Sequence, residues 1–100
     1  MNQRQHSRLK IKTPILVSAV DTESRKYTES TETIDRSPGG MAFPLNREPG
    51  LLTQMEIYLP QEANRLVHLK SQVRHVTVCD NKKIVGVKFL GPPHLEFPKI

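Results

Sequence analysis

The sequence predicts an all-β protein, a small barrel of six antiparallel strands. Three observations carry this expectation. No window of about 12 residues places apolar side chains at a helical period between helix caps. Apolar residues fall instead on alternate positions, segment after segment, as a strand with one buried face requires. Between the segments stand residues that turn a chain, in Pro38-Gly39-Gly40, Pro49-Gly50 and Asp80-Asn81.

Residues 9–20 form the first strand, with Leu9, Ile11, Ile15, Val17 and Ala19 on odd positions and Lys10, Lys12 and Ser18 on even ones. Pro14 predicts an edge position or a bend there, because proline offers no N–H to a ladder. Residues 27–35, rich in threonine, form a second and more polar strand. Met41, Phe43 and Leu45 alternate in the third, and Met55, Ile57 and Leu59 in the fourth. Residues 66–78 make a long fifth strand with Val67, Leu69 and Val73 on one face. Val85, Val87 and Phe89 mark the last. Apolar positions switch from odd to even near His75-Val76, which predicts a β-bulge. Closing six strands into a barrel removes exposed edges, with the odd-numbered apolar residues inside. The barrel then spans residues 9–91, between a flexible arm of residues 1–8 and a Pro-rich tail of residues 92–100 with a short C-terminal helix or none.

A chain of 100 residues holds one domain, and 36% hydrophobic with 25% charged residues places it among globular proteins. No apolar run nears the ~20 residues of a membrane span, and no apolar stretch follows the polar Met1-to-Arg8 segment as in a signal peptide. The single cysteine, Cys79, excludes an internal disulfide. A cytoplasmic protein without membrane insertion is expected. His6, His68, His75 and His94 are dispersed without metal-ligand spacing, and no nucleophile–base pairing or P-loop is recognisable. The expectation is therefore a binding protein, neither an enzyme nor a cofactor carrier. The net charge of +5 favours an anionic partner, and Arg4, Arg8, Lys10 and Lys12 precede the first acid, Asp21.

Two short segments stand out together: Arg4-x-x-x-Arg8 before the first strand, and Asp35-x-Ser37-x-x-Gly40 between the second and third. Alone, the first reads as a solvated basic arm and the second as an Asx or type II turn. Their joint occurrence, in this order and spacing, resembles the double signature of the PilZ family. The Gly-Gly-Met-Ala-Phe continuation, Gln72-Val73-Arg74-His75-Val76 and the closing Gly86-Val87-Lys88-Phe89-Leu90 extend the resemblance over roughly residues 3–91.

The resemblance implies a receptor for cyclic di-GMP, with Arg4, Arg8, Asp35, Ser37, Gly39 and Gly40 at the ligand and Arg74 as a further candidate. The residue types suit that ligand. An arginine fork matches guanine O6 and N7, stacks on a purine or neutralises a phosphate. The Asp35 carboxylate accepts from guanine N1 and the exocyclic amine, and Ser37 adds a hydroxyl. Gly39 and Gly40 permit positive φ and close approach of the ligand. Binding would fold the arm over the ligand and alter the surface met by an unidentified downstream protein.

Two departures matter. Many PilZ domains carry another arginine beside the first motif, where this chain has Gln3 and Gln5, so one bound molecule and an intercalated pair both stay open. The family also commonly ends in a helix over one barrel mouth. Here Gly91-Pro92-Pro93 and Pro98 disfavour one, leaving that mouth open, covered by the tail, or covered by a second subunit. The alternative functions are a PilZ-like adaptor that binds protein alone, and a small barrel for single-stranded nucleic acid. The second is disfavoured, since a stacking platform needs several exposed rings and the chain has no Trp.

Overall fold

The computed structural model describes residues 12–61 and 63–96, and among them every regular element is a strand. These are β1 (Pro14–Val20), β2 (Lys26–Glu32), β3 (Asp35–Ser37), β4 (Gly40–Leu45), β5 (Gln54–Gln61), β6 (Arg65–Cys79), β7 (Lys82–Phe89) and β8 (His94–Glu96). All pairings are antiparallel, in the order β2-β1-β5-β6-β7-β4-β3, with β8 added to β6.

The alternating pattern explains the interior. Ile15, Val17, Ala19, Met41, Phe43, Leu45, Met55, Ile57, Leu59, Leu69, Val73, Val85 and Val87 are buried, and every one is odd-numbered. Removing each larger side chain from water contributes about 1.5–3 kcal/mol, so this single inward set is the main source of stability. The predicted bulge is present one residue earlier than expected. Val73 faces Val87 but His75 faces Gly86, so Arg74 is the extra residue, and beyond it even-numbered Val76 stands opposite Val85.

The two strands beyond the expected six are short. The predicted second strand splits because its backbone changes partner: Thr33 N–H donates to Thr13 O (2.9 Å), while Ile34 N–H donates to Ala42 O (2.8 Å). The Thr33 side chain anchors this switch, buried and accepting from Thr13 N–H at 3.0 Å. Asp35 therefore begins a new strand against β4. In the tail, His94–Glu96 pair with Leu66–His68, continuing along β6 the line that β7 follows from Ser71 to Cys79.

Pro14 does not mark an edge strand, since β1 lies between β2 and β5. It is the first residue of β1, and the β5 ladder reaches only Leu16–Ser18, so its missing N–H interrupts no bond to β5. Beyond the sheet's pairings, β2 and β4 meet without a ladder among the described residues. Thr31 Oγ1 donates to Pro44 O (2.7 Å), and the Glu29 carboxylate accepts from the N–H groups of Asn46 (2.7 Å) and Arg47 (3.3 Å). Pro44 has no N–H to offer a backbone partner, so side chains close this seam.

One corner rests on a buried carboxylate. Asp21 Oδ1 accepts from Glu23 N–H (2.8 Å) and Arg25 N–H (2.9 Å), while Oδ2 accepts from Arg47 Nη2 (2.7 Å). The Arg25 backbone bond, helped by Arg47 against the cost of burial, lowers the Asp21 carboxyl to about 2. Arg47 also lies 4.8 Å from the Tyr27 ring centre and accepts the Tyr27 hydroxyl on its carbonyl (2.9 Å). Burial pushes that phenol up to about 12.

Candidate functional site

The second motif is a hairpin. Ser37 pairs with Gly40 across the two-residue turn Pro38-Gly39, and Asp35 pairs with Ala42, so Asp35 stands on a strand rather than in the turn. The Ser37 hydroxyl faces the Gly40 carbonyl in a long contact of 3.5 Å. Gly40 is required by close approach: a Cβ there would stand 2.2 Å from Val87 O. Positive φ is not the reason. No described glycine has positive φ, and space around Gly39 is open to 4 Å, which leaves that residue free to sit beneath a ligand.

Register then assembles a row across four strands: Asp35 on β3, Ala42 on β4, Gly86 on β7 and His75 on β6. The two central residues are small, and the His75 ring lies over Gly86, with Nε2 2.2 Å from where a Cβ would be. Large residues at both ends and small ones between make a trough. It is an open depression of about 290 Å³, lined by Asp35, Arg36, Ser37, Gly39, Gly40, His75, Gly86 and Lys88 among others. Asp35 Oδ1 is shielded from solvent there. Arg36 and Lys88 bring positive charge and His75 a ring with hydrogen-bonding nitrogens, which suits an anion with guanine-like donors for the carboxylate.

Four of the expected residues, Asp35, Ser37, Gly39 and Gly40, thus share one depression. Arg74 does not join them. It is exposed on the bulge and lines a neighbouring depression with Glu48 and Leu51. Arg4 and Arg8 lie outside the described residues. The chain at Thr13 is held beside β3 through Thr33 and through Arg36 Nη1, which donates to Thr13 Oγ1 at 3.4 Å. Arg8 is five residues upstream, a span of at most ~17 Å. The sequence reading missed Arg36, His75, Gly86 and Lys88. His75 and Gly86 stood in segments already notable for their resemblance, but only the cross-strand register shows that they face each other.

The all-antiparallel sheet, with an open trough beside one short hairpin, defines the class, a small all-β domain. Within that class the chain belongs to the PilZ domain family, whose profile matches residues 2–96. Comparison with curated protein sequences gives no match. Among solved structures, the chain is similar to the inhibitor of motility MotI/DgrA of Bacillus subtilis, with a TM-score of 0.66 and 15% identity over 91% of this chain. It spans 44% of that protein's chain. It is also similar to the PilZ domain of YcgR from Escherichia coli, solved with c-di-GMP, with a TM-score of 0.58 and 18% identity over 89% of this chain and 79% of that one. At these identities the likeness establishes the fold. No helix among the described residues is long and apolar enough to cross a membrane.

Proposed function

We propose that this PilZ domain is a cytoplasmic receptor for cyclic di-GMP, acting by binding and not by catalysis. The observation that carries the reading is the convergence of Asp35, Ser37, Gly39 and Gly40 with Arg36 and Lys88 around one trough. In this reading Asp35 accepts from a guanine edge, the glycine turn admits the ligand without a Cβ in its way, and the cations offset the two phosphates. Kinship supports the same ligand, since one similar structure is a PilZ domain solved with c-di-GMP.

The trough, about 290 Å³, is at the small end of ligand sites and open on one side. The missing cover comes from residues 1–8, with Arg4 and Arg8 clamping the ligand, which stands within reach of a chain anchored at Thr13. Closing that arm changes the surface shown to a downstream protein. The barrel, residues 9–91, then serves as the platform and residues 92–100 as its tail. Calorimetric titration with cyclic di-GMP tests the roles. Arg4→Ala and Arg8→Ala each weaken binding about 5- to 150-fold, the equivalent of a lost contact of about 1–3 kcal/mol. Normal affinity in either variant overturns the clamp.

A further inference from the structure

The loop between β4 and β5 breaks two local rules at once. Leu51 and Leu52 are 60% and 59% exposed, and Leu52 holds φ at 66°, a conformation that leucine adopts only under constraint. The constraint is visible. Thr53 Oγ1 donates to Gly50 O (2.6 Å), Leu52 N–H donates to Val73 O (2.8 Å), and Gln72 Nε2 donates to Leu52 O (3.2 Å). The fold thus fixes two leucines outward, at a cost, next to the Arg74 bulge.

Beside this loop lies a second depression of about 290 Å³. One wall comes from the loop, with Glu48, Pro49 and Leu51, and the other from the bulge, with Arg74, His75 and Val76. Arg74 makes no ion pair with a described residue, so its guanidinium is available beside the apolar Pro49, Leu51 and Val76 of the same lining. Glu48, exposed on the loop wall, would repel a further acid placed next to it. His75 lines this depression and the trough as well, so one residue forms part of both.

We propose that this depression docks a protein segment presenting an apolar side chain next to a carboxylate, and that His75 couples it to the ligand trough. The apolar side chain seats against Leu51 and Val76, and its neighbouring carboxylate pairs with the Arg74 fork. A ligand that moves the His75 ring off Gly86 reshapes the wall shared with the docking site. This coupling rests on the cyclic di-GMP reading, whereas the docking surface stands on its own geometry.

The test is selection of a displayed random 12-residue peptide library on the full chain, with and without saturating cyclic di-GMP. The expected consensus is a large apolar residue beside Asp or Glu. Selected peptides lose at least about tenfold in affinity for Leu51→Ser and for Arg74→Glu, both exposed positions whose folding is checked by melting. Replacing the peptide acid by Lys restores binding to Arg74→Glu. Cyclic di-GMP changes peptide affinity by some factor, the peptide changes cyclic di-GMP affinity by the same factor, and in His75→Ala at saturating ligand the factor falls to one. A basic consensus, or peptides indifferent to Leu51 and Arg74, overturns the docking site. So does self-association of the chain that Leu51→Ser abolishes, which assigns the surface to a second copy. If calorimetry shows cyclic di-GMP binding and peptide affinity ignores it, the coupling is wrong. If calorimetry shows no binding, the receptor reading fails and the peptide result still decides the docking site.

Discussion

Substituting alanine for Gly40 tests the register that builds the trough. The new Cβ would stand 2.2 Å from Val87 O, 3.3 Å from Val87 C and 3.5 Å from Lys88 Cα, all backbone atoms of the paired strand. No side chain can swing aside to relieve this. Restoring normal contact needs β4 and β7 to part by roughly 1 Å, within a ladder that continues from Gly40 to Leu45. Overpacking of this kind costs about 1–3 kcal/mol, more than the ~0.5–1 kcal/mol that replacing a strand glycine otherwise contributes. For a domain of this size each kcal/mol moves Tm by about 4–8 °C, so a net loss of ~1 kcal/mol lowers it by about 4–8 °C. Two controls share the assay. At Gly86 the obstacle is the His75 ring, which can rotate away at about 0.5–1.5 kcal/mol, so Gly86→Ala falls less. At Gly39 the space is open, and Gly39→Ala melts within about 0.5 kcal/mol of wild type. Thermal melts followed by circular dichroism rank the three. Wild-type stability in Gly40→Ala would refute the register, and with it the row that joins Asp35 to His75.

Three further outcomes are expected. Asp35→Ala folds and loses most of its cyclic di-GMP affinity, because guanine donors are left unpaired in a partly desolvated site; a low Tm with unchanged affinity would make Asp35 purely structural. Asp21 has a folded carboxyl lowered from 3.8 to about 2, so its contribution to stability is present above about pH 4 and is lost as pH falls through about 2. The gap in denaturant midpoint between wild type and Asp21→Asn therefore narrows from about pH 4 to about pH 2, and a constant gap would remove Asp21 as its source. Gly39→Val keeps its fold, since nothing stands within 4 Å of an added Cβ, yet is expected to weaken cyclic di-GMP binding at least about fivefold; equal affinity would place the ligand elsewhere.

The core was legible because period-two alternation is a local property: each of the buried apolar residues from Ile15 to Val87 could be assigned its face without knowing its neighbours. The bulge was legible for the same reason, as a change of phase. Pairing was not. Nothing in the sequence near Ala42 or Gly86 says that these strands are adjacent, so the trough between Asp35 and His75 stayed hidden, and Arg74 rather than His75 drew attention on β6. The glycines misled in a related way. A Pro-Gly-Gly turn suggests positive φ, whereas Gly40 is there for a backbone 47 residues onward, at Val87. Asp21 sits in a polar turn and looks solvated in sequence, but its side-chain partner Arg47 is 26 residues away.

Recognition of cyclic di-GMP by this barrel is tested by calorimetric titration of the full chain with cyclic di-GMP, GTP and a short single-stranded oligonucleotide side by side. Cyclic di-GMP is expected to bind at micromolar Kd or tighter, about −8 kcal/mol or better, with GTP and the oligonucleotide far weaker. Preference for the oligonucleotide, or no heat with cyclic di-GMP from a folded chain, would contradict it.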